Sequence, residues 1–568
     1  MIQGIGASPG ISMCKVMLLT SQELEIEKRI VDDVDKEWAR MNDARKIAQL
    51  DLLALHKQTL ESIGEEEARI FESHLMMLDD PEMLEQVQNQ INADKVNAEW
   101  ALKGVCESFI QIFDTMDDAY MKERAADLRD VYERLARNLL GVKKTNLSLL
   151  DESVILVASD LTPSDTASMD KSKVVGFLTD IGGRTSHTAI MARTLEVPAI
   201  VGLDNITERV SDGDFVAFNG DSGEVIINPD GEELGRFQNM KSDYDAKRDL
   251  LTAMKNKASK TLDGRTVELA GNIGTPEDVK NLLRNDAEGV GLYRTEFLFM
   301  DRNQMPTEEE QYISYKTVLE AMGSKPVVIR TLDVGGDKEL SYLDIEKEMN
   351  PFLGYRAIRL CLDRTDIFKI QLRALLRASV HGNLKIMFPM ISSLEEYLSA
   401  KAILDETTVE LRSEGVTVAE KIEVGMMIEV PSAALISDIL AKYVDFFSIG
   451  TNDLIQYTCA VDRMNQKIHH LYSPFNPGVL RLIKQVIENA HKEGKWVGMC
   501  GEMAGDKHMI PLLLGLGLDE FSMSPISILE ARKQICDMTL AEAKRLAEHV
   551  MTLETSEAIE EYLKEYVK

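Results

Sequence analysis

The stretch DFFSIGTND, residues 445–453, decides the fold. It is a short apolar run that stops at a glycine and passes directly into polar residues. Such a run, bounded by turn residues, is typical of a strand buried on both faces, as in a parallel sheet. Seven further runs of this kind are separated by amphipathic helical patterns: VELAGNIG (267–274), GVGLYRT (289–295), VVIRTLD (327–333), LKIMFPM (384–390), EVGMMIEV (423–430), KWVGMC (495–500) and LDEFSMS (518–524). Eight strand–helix repeats over about 300 residues predict a (β/α)8 barrel of the TIM type.

Polar side chains stand at the carboxyl ends of these runs, where the site of such a barrel lies. They are Arg294, Arg330, Glu429, Asn452, Asp453 and Cys500. A pair of arginines predicts a small, multiply charged anion, because their planar forks match phosphate and carboxylate oxygens. Carboxylates would repel that anion unless a cation lay between them. Glu429 and Asp453 therefore predict Mg²⁺ or a similar hard metal.

Two residues near this end of the barrel admit two interpretations each. A thiol inside a barrel, such as Cys500, is commonly a small packing group, yet beside a bound anion and metal it can protonate a carbon atom. Arg463, ten residues after Asp453 in the loop CAVDRMNQ, either supplies another positive charge or remains a surface residue.

A histidine, His187, stands where the turn GGRTS (182–186) passes into the helical pattern HTAIMARTLEV. The free N–H groups and dipole of a helix start favour an anion there, and they disfavour imidazolium, which keeps the ring nucleophilic. Arg184 and Thr185 are near enough in sequence to help, and we expect Ala189, Ile190 and Leu195 to pack. Alone, such a histidine is commonly a surface residue; a barrel for a phosphorylated anion on the same chain favours a phosphohistidine.

The chain predicts a multidomain α/β protein in four parts. Strand-like segments in residues 1–20 and 144–222 predict an α/β domain that carries His187. The glycine-poor sequence of residues 21–143, with apolar residues at helical spacing, predicts a helical bundle inserted into that domain. Residues 223–262, with a charged helical segment at about 232–259, read as a linker and hinge, and residues 263–568 hold the barrel.

Composition limits the possible partners and location. The net charge of −31 argues against nucleic acid and anionic membranes and would attract a basic partner. Neither an apolar run of membrane-spanning length nor a secretory signal is recognisable in the sequence. The six scattered cysteines lack disulfide or CxxC spacing, so we expect reduced thiols and a cytoplasmic protein.

Seven segments together resemble Enzyme I of the bacterial phosphoenolpyruvate:sugar phosphotransferase system. They are, in order, GGRTSHTAIMAR, GVGLYRTEFLFM, RTLDVGGDK, NPFLGYRAIR, MIEVPSA, FFSIGTNDLIQYTCAVDR and GMCGEMAGD. The resemblance covers nearly the whole chain. It implies Mg²⁺-dependent transfer of the phosphoryl group from phosphoenolpyruvate to a histidine, release of pyruvate, and transfer onward to a histidine of the carrier HPr.

The resemblance also implies roles for individual residues. His187 matches the phosphorylated histidine and Cys500 the general acid that protonates the enolate. Arginines 294, 330 and 463 match the substrate-binding arginines, Glu429 and Asp453 match the metal ligands, and Asn452 matches a phosphate contact. Arg356 matches a pocket residue of less defined role. The bundle matches the HPr-docking region, and the barrel matches the region through which the family forms homodimers.

Two alternatives remain open from the sequence. One is an enzyme like pyruvate phosphate dikinase or phosphoenolpyruvate synthase, which needs a nucleotide-binding domain ahead of the histidine; only 186 residues precede His187, most of them in the bundle. The other is a non-catalytic phosphorelay regulator that has kept the fold, which degraded barrel residues would favour.

Overall fold

The computed structural model divides into two compact units, residues 1–248 and 249–568. It describes the chain apart from residues 1, 20–23, 25, 63, 64, 116–118, 143–146, 148, 149, 151, 168, 170, 171, 184, 185, 301, 336–339, 341, 344–347, 466 and 568. No helix in the described part of the chain is long and apolar enough to cross a membrane.

The first unit is built on an eight-stranded mixed sheet. Its strands are β1 Ile2–Gln3, β2 Ile5–Ser8, β3 Ile11–Leu19, β4 Val154–Ala158, β5 Val174–Thr179, β6 Ala199–Val201, β7 Phe215–Asn219 and β8 Glu224–Ile227. They lie in the order β1-β8-β7-β3-β4-β5-β6-β2. The central strands β3 to β6 are parallel, and they carry buried apolar runs, as parallel strands covered on both faces do.

The predicted helical insert lies between β3 and β4. It consists of α1 Val34–Ser62, α2 Glu65–Leu78, α3 Pro81–Asp94, α4 Ala98–Thr115 and α5 Ala119–Leu140. Apolar residues at three and four spacings form its core, with Leu52, Val87 and Leu135 fully buried. The side chain of Asp80 accepts the N–H of Met83 at 2.8 Å, which fixes the start of α3.

The described residues of this part of the chain form four more helices: α6 Pro163–Ala167, α7 His187–Thr194, α8 Ile206–Arg209 and α9 Gly231–Thr252. The helix predicted after GGRTS is therefore present as α7. Only some of the side chains that were expected to pack are buried. Ala189 is fully buried, whereas 47% of the surface of Ile190 is exposed, so the expectation for Ile190 is wrong. The charged linker helix α9 ends at Thr252, earlier than its sequence pattern suggested, and turns follow it.

The second unit contains the predicted eight-stranded barrel. Its strands are β9 Glu268–Ile273, β10 Gly289–Arg294, β11 Pro326–Arg330, β12 Asn383–Phe388, β13 Glu423–Ile428, β14 Phe446–Ile449, β15 Trp496–Met499 and β16 Glu520–Met523. Each pairs in parallel with the next, and β16 closes on β9. All eight sequence runs are strands of this barrel, so the fold prediction is confirmed.

Helices surround the barrel and cover its outer face. They are α10 Val279–Arg284, α11 Glu308–Met322, α12 Ile358–Asp363, α13 Thr365–Ala378, α14 Leu394–Ser413, α15 Pro431–Leu435, α16 Ser437–Leu440, α17 Thr451–Cys459, α18 Pro477–Lys492, α19 Ile510–Leu516, α20 Ile528–Cys536, α21 Leu540–Val550 and α22 Ser556–Tyr566. Short 3₁₀ turns lie at Pro276–Asp278, Thr295–Leu298, Pro351–Leu353, Ser379–His381, His469–Leu471, Glu502–Gly505 and Pro525–Ser527.

Candidate active site at the carboxyl end of the barrel

The residues predicted from the strand ends do come together at the carboxyl end of the barrel. Arg294 and Arg330 are the last residues of β10 and β11, and their Cα positions pair in the strand register. Glu429 directly follows β13, and Cys500 directly follows β15. Because parallel strands present their carboxyl ends at one edge, these side chains share one mouth.

Two buried arginines are held by one carboxylate at this mouth. Asp333 accepts a hydrogen bond from Arg356 at 2.8 Å and lies 2.9 Å from a guanidinium nitrogen of Arg330. Arg330 also donates to Glu296 at 2.7 Å. Burial opposes the positive charge of Arg330, but Asp333, Glu296 and Glu429 outweigh it and raise its pKa. The guanidinium groups are therefore permanently charged and are fixed before any ligand arrives.

Helix α17 brings a second set of polar groups to the mouth. It begins directly after β14, so Asn452 and Asp453 occupy its first turn. One oxygen of Asp453 lies 3.6 Å from Arg356, and the other lies 3.7 Å from Arg463. Arg463 is thus beside the site, although it comes from a loop. Of its two interpretations, the structure favours the additional positive charge.

Glu429 is a wholly buried carboxylate, 1% exposed. It accepts the backbone N–H of Met390 at 2.6 Å, and Met390 has a positive φ of 55°, a conformation that costs a non-glycine residue roughly 1–2 kcal/mol. Burial raises the pKa of Glu429 to about 8, and the neighbouring charges of Asp453 and Asp333 contribute to that rise. A carboxylate in this position gains from any cation placed next to it.

Cys500 lies within the interior of the barrel, 3% exposed, in a cluster with Met387, Met427 and Phe446. Its N–H donates to the carbonyl of Ile449 at 3.2 Å. Burial raises the pKa of its thiol to about 11. At neutral pH the sulfur therefore carries its proton, as a general acid requires.

His187 lies in the first unit, at the first position of α7. The side chain of Ser186 caps this helix by accepting the N–H of Ala189 at 3.3 Å. The predicted helpers Arg184 and Thr185 lie outside the described residues. The helix start that the sequence predicted for His187 is therefore confirmed, while its chemistry stays a prediction.

The sequence reasoning missed two carboxylates of the mouth, Glu296 and Asp333. Both follow the strand-end arginines closely, Glu296 two residues after Arg294 and Asp333 three residues after Arg330. The rule that located the arginines covers the residues just beyond each strand end, so it contained the signal. Which of those residues form ion pairs with the arginines depends on contacts between neighbouring strand ends, and these contacts are visible only in the three-dimensional structure.

Comparison with known proteins agrees with this geometry along the whole chain. Residues 248–540 match the PEP-binding domain of PEP-utilising enzymes, residues 150–223 match their mobile domain, and residues 3–124 match their N-terminal domain. A phosphoenolpyruvate-protein phosphotransferase of Geobacillus stearothermophilus is 56% identical over 99% of this chain and 97% of its own. One from Staphylococcus carnosus is 53% identical over 100% and 99%. A solution structure of Enzyme I (nEIt) is 45% identical over 43% of this chain and 100% of its own, with a TM-score of 0.39.

A closed parallel barrel with paired arginines and carboxylates at its mouth, joined to a mobile domain, defines a phosphoenolpyruvate-utilising enzyme. Within that class the chain belongs to the phosphoenolpyruvate-protein phosphotransferases, the Enzyme I family of the sugar phosphotransferase system. The relatives match over nearly their full length and are phosphotransferases, so neither the dikinase alternative nor the non-catalytic regulator is supported.

Proposed function

We propose that this enzyme binds phosphoenolpyruvate at the barrel mouth and transfers its phosphoryl group to His187. The observation that carries this proposal is the fixed pair of buried arginines, Arg330 and Arg356, held on Asp333 beside Arg463 and the carboxylates. Arg294 adds a fourth guanidinium, and it has no ion-pair partner within the described part of the chain. Preformed positive groups of this kind bind the substrate's phosphate and carboxylate without reorganising.

We propose Mg²⁺ as the cofactor, held by Glu429 and Asp453. The fit rests on two buried carboxylates: burial and the charge of Asp453 raise the pKa of Glu429, and a buried oxygen of Asp453 has no hydrogen-bond partner among the described residues. The described residues include no group of three or more histidine, cysteine, aspartate or glutamate side chains that could hold a metal. Two carboxylates completed by substrate oxygens suit Mg²⁺. When bound, the metal would neutralise the charge on the leaving enolate oxygen.

The residues then divide the reaction between them. The arginines and Asn452 hold the phosphate, and the neutral ring of His187 attacks phosphorus in line with the departing enolate oxygen. Catalysis is mainly positioning and charge stabilisation. The enolate of pyruvate remains, and the thiol of Cys500 gives its proton to the methylene carbon. Sulfur keeps the bonding electrons as a thiolate, and pyruvate leaves.

Labelled phosphoenolpyruvate tests this function directly. We expect acid-labile, base-stable label on the wild-type protein with Mg²⁺, no label with EDTA, and no label on His187→Ala. Cys500→Ala should still take label on His187 while producing pyruvate slowly, because the thiol acts after the phosphoryl group has left. Label on folded His187→Ala would refute the assignment of the nucleophile.

We propose HPr as the acceptor and the helical bundle as its docking region. Apolar side chains are exposed on both α1 and α2, which pack against each other; they include Leu50 at 68% and Met76 at 69%. His74 and Leu78 on α2 are instead fully buried. The acidic side chains expected beside them, Glu65 to Glu67, lie outside the described side chains. An apolar face on an acidic protein suits a basic carrier.

Substituting Glu65, Glu66 and Glu67 by glutamine should slow phosphorylation of HPr, most strongly at low salt, and leave phosphorylation of His187 unchanged. The matched control changes three exposed glutamates of the other unit, 554, 557 and 561, and should leave both rates unchanged. Equal loss of both steps in the first variant would argue against a docking role.

The predicted domain boundaries, the hinge at residues 223–262, the homodimer through the barrel and the cytoplasmic location also belong to this proposal. The boundary between the two compact units falls within α9, which supports a hinge there. Limited proteolysis tests the boundaries, and light scattering of the full chain tests the dimer.

A further inference from the structure

Below the mouth, the barrel interior contains a glutamate that nothing in the reaction described so far uses. Glu520 is the first residue of β16 and is 3% exposed. Neither of its carboxylate oxygens has a hydrogen-bond partner among the described residues. Buried polar atoms almost always have partners, so two such oxygens on one side chain need an explanation.

The strand register places Glu520 beside a serine that is also without a conventional partner. Ser448 on β14 pairs with Gly498 on β15, and Gly498 pairs with Glu520 on β16. Ser448 and Glu520 therefore stand two strands apart, about 10 Å between backbones, with a glycine between them. The hydroxyl oxygen of Ser448 is buried and makes no hydrogen bond within the part of the chain described.

Gly498 has no side chain, and the carboxyl group of Glu520 fills the space above it. A Cβ atom at this position would lie 1.9 Å from one carboxylate oxygen of Glu520, and a Cβ atom at Gly291 would lie 1.9 Å from the other. One carboxylate oxygen thus occupies the room that Gly498 provides on β15, and the other occupies the room that Gly291 provides on β10.

Cys500 stands directly above this arrangement. It follows Gly498 by two residues, so the alternation of a strand puts both on the inner side. Burial raises the pKa of its thiol, whereas the adjacent hydroxyl of Ser448 and the charge of Arg330 lower it, and Glu520 and Glu429 act in the raising direction. The thiol, the hydroxyl and the carboxyl group therefore surround Gly498.

The charged groups facing Glu520 favour its protonated form. Burial raises the pKa of Glu520 well above its usual value, and Glu268 on β9 adds to the rise, while Lys385 on β12 opposes it. Lys385 is already paired with Glu423 on β13 at 3.0 Å. Glu520 thus holds a proton under conditions in which an exposed glutamate has lost it.

We propose that Glu520, through the hydroxyl of Ser448, returns to Cys500 the proton that the thiol gives to the enolate. The thiolate takes the Ser448 hydroxyl proton, forming S–H. The Ser448 oxygen takes the proton of Glu520, whose O–H bond breaks to leave a carboxylate. The carboxylate regains a proton from water after pyruvate has left. The reverse reaction runs through the same steps, and both residues act on the carbon only through Cys500.

This inference rests on the proposed role of Cys500, and isotope exchange can test it separately from phosphoryl transfer. Pyruvate carrying ¹³C in its carbons and ²H in its methyl group is mixed with enzyme, Mg²⁺ and unlabelled phosphoenolpyruvate. The ¹³C appearing in phosphoenolpyruvate counts reversals of phosphoryl transfer. Replacement of the abstracted deuterium by hydrogen in recovered pyruvate counts exchange at Cys500.

In wild type we expect the deuterium to be lost in nearly every reversal. In Glu520→Gln it should remain on sulfur and return to carbon, so that loss per reversal falls about tenfold or more. Glu414→Gln, which changes an exposed glutamate paired with Arg373 outside the barrel interior, should keep the wild-type ratio. A ratio, unlike a rate, does not change when a variant is simply less active.

An unchanged ratio in Glu520→Gln would overturn the proposal. If that variant does not fold, Ser448→Ala gives the same readout, with the same expected fall and the same contradicting result. Absence of ¹³C transfer in wild type would instead refute the proposed function of the site.

Discussion

Asp333 is the residue on which the charge arrangement at the barrel mouth depends. It is 1% exposed and holds both Arg330 and Arg356, so it fixes the directions of two guanidinium groups at once. Removing one partner from a buried charge network leaves the others without compensation. The arginine positions and the catalytic efficiency should therefore respond together to a change at this one carboxylate.

Asp333→Asn should lower kcat/KM for phosphoenolpyruvate about 30-fold or more, equivalent to about 2 kcal/mol or more, because two arginines lose the charged partner that they share. The control is Asp366→Asn, which breaks an exposed pair with Arg364 and should change kcat/KM by less than about twofold. Steady-state kinetics of both variants decide the matter, and equal values for the two would contradict the role of Asp333.

Glu268 gives the barrel a predictable dependence on pH. Burial raises the pKa of Glu268 to about 7, so the folded barrel binds its proton more tightly than the unfolded chain does. The resulting stabilisation is fully present below the unfolded pKa of about 4.5 and is lost as pH rises through about 7.

Glu268→Gln removes this contribution, so the variant's free energy of unfolding should rise relative to that of wild type between pH 4.5 and pH 7. Denaturant unfolding of both proteins at several pH values measures the difference. A difference that stays constant over this range would show that Glu268 does not titrate as stated.

The sequence-based predictions for strands and helices had different physical bases. The barrel strands were found because buried parallel strands are apolar throughout and end at glycine or polar residues, as FFSIG does at Gly450. The exposure of Ile190 was not predicted, since eight residues of α7 are too few for a periodic pattern to show which face is buried. Glu520 and Ser448 were not singled out, because only strand register brings them beside Gly498.

The cap of α7 allows a test of how this helix start affects His187. Ser186→Ala removes the side chain that accepts the Ala189 N–H, which should destabilise the helix start by about 1 kcal/mol. We expect slower phosphorylation of His187, because this residue occupies the first position of the same helix. Thr555→Ala removes the equivalent cap of α22 at a similar cost in stability and should leave His187 labelling unchanged.

The proposed nucleophile and the proposed donor site belong to different compact units. His187 lies in residues 1–248, whereas the arginines lie in residues 249–568. One unit alone therefore lacks either the acceptor or the substrate site, and α9 is the only described helix that runs across their boundary. With His187 as the proposed acceptor, turnover in the full chain requires relative motion of the two units.

A covalent cross-link between the two units should reduce turnover from phosphoenolpyruvate to HPr at least about tenfold, because a fixed arrangement cannot serve both partners. Cleaving the cross-link should restore the rate. Full turnover in the cross-linked protein, measured with both partners present, would contradict the hinge.

The insertion point of the bundle has an evolutionary consequence. Strands β3 and β4 are hydrogen-bonded neighbours in a parallel pair, and a parallel pair needs only a crossover of a dozen or more residues to join it. Here the crossover comprises residues 20–153 and contains the five helices of the bundle. Such a module can diversify, or be exchanged as a cassette, without changing a single ladder hydrogen bond of the sheet beneath it. With the docking role proposed for the bundle, such an exchange would provide a new protein acceptor and leave the phosphoryl chemistry intact.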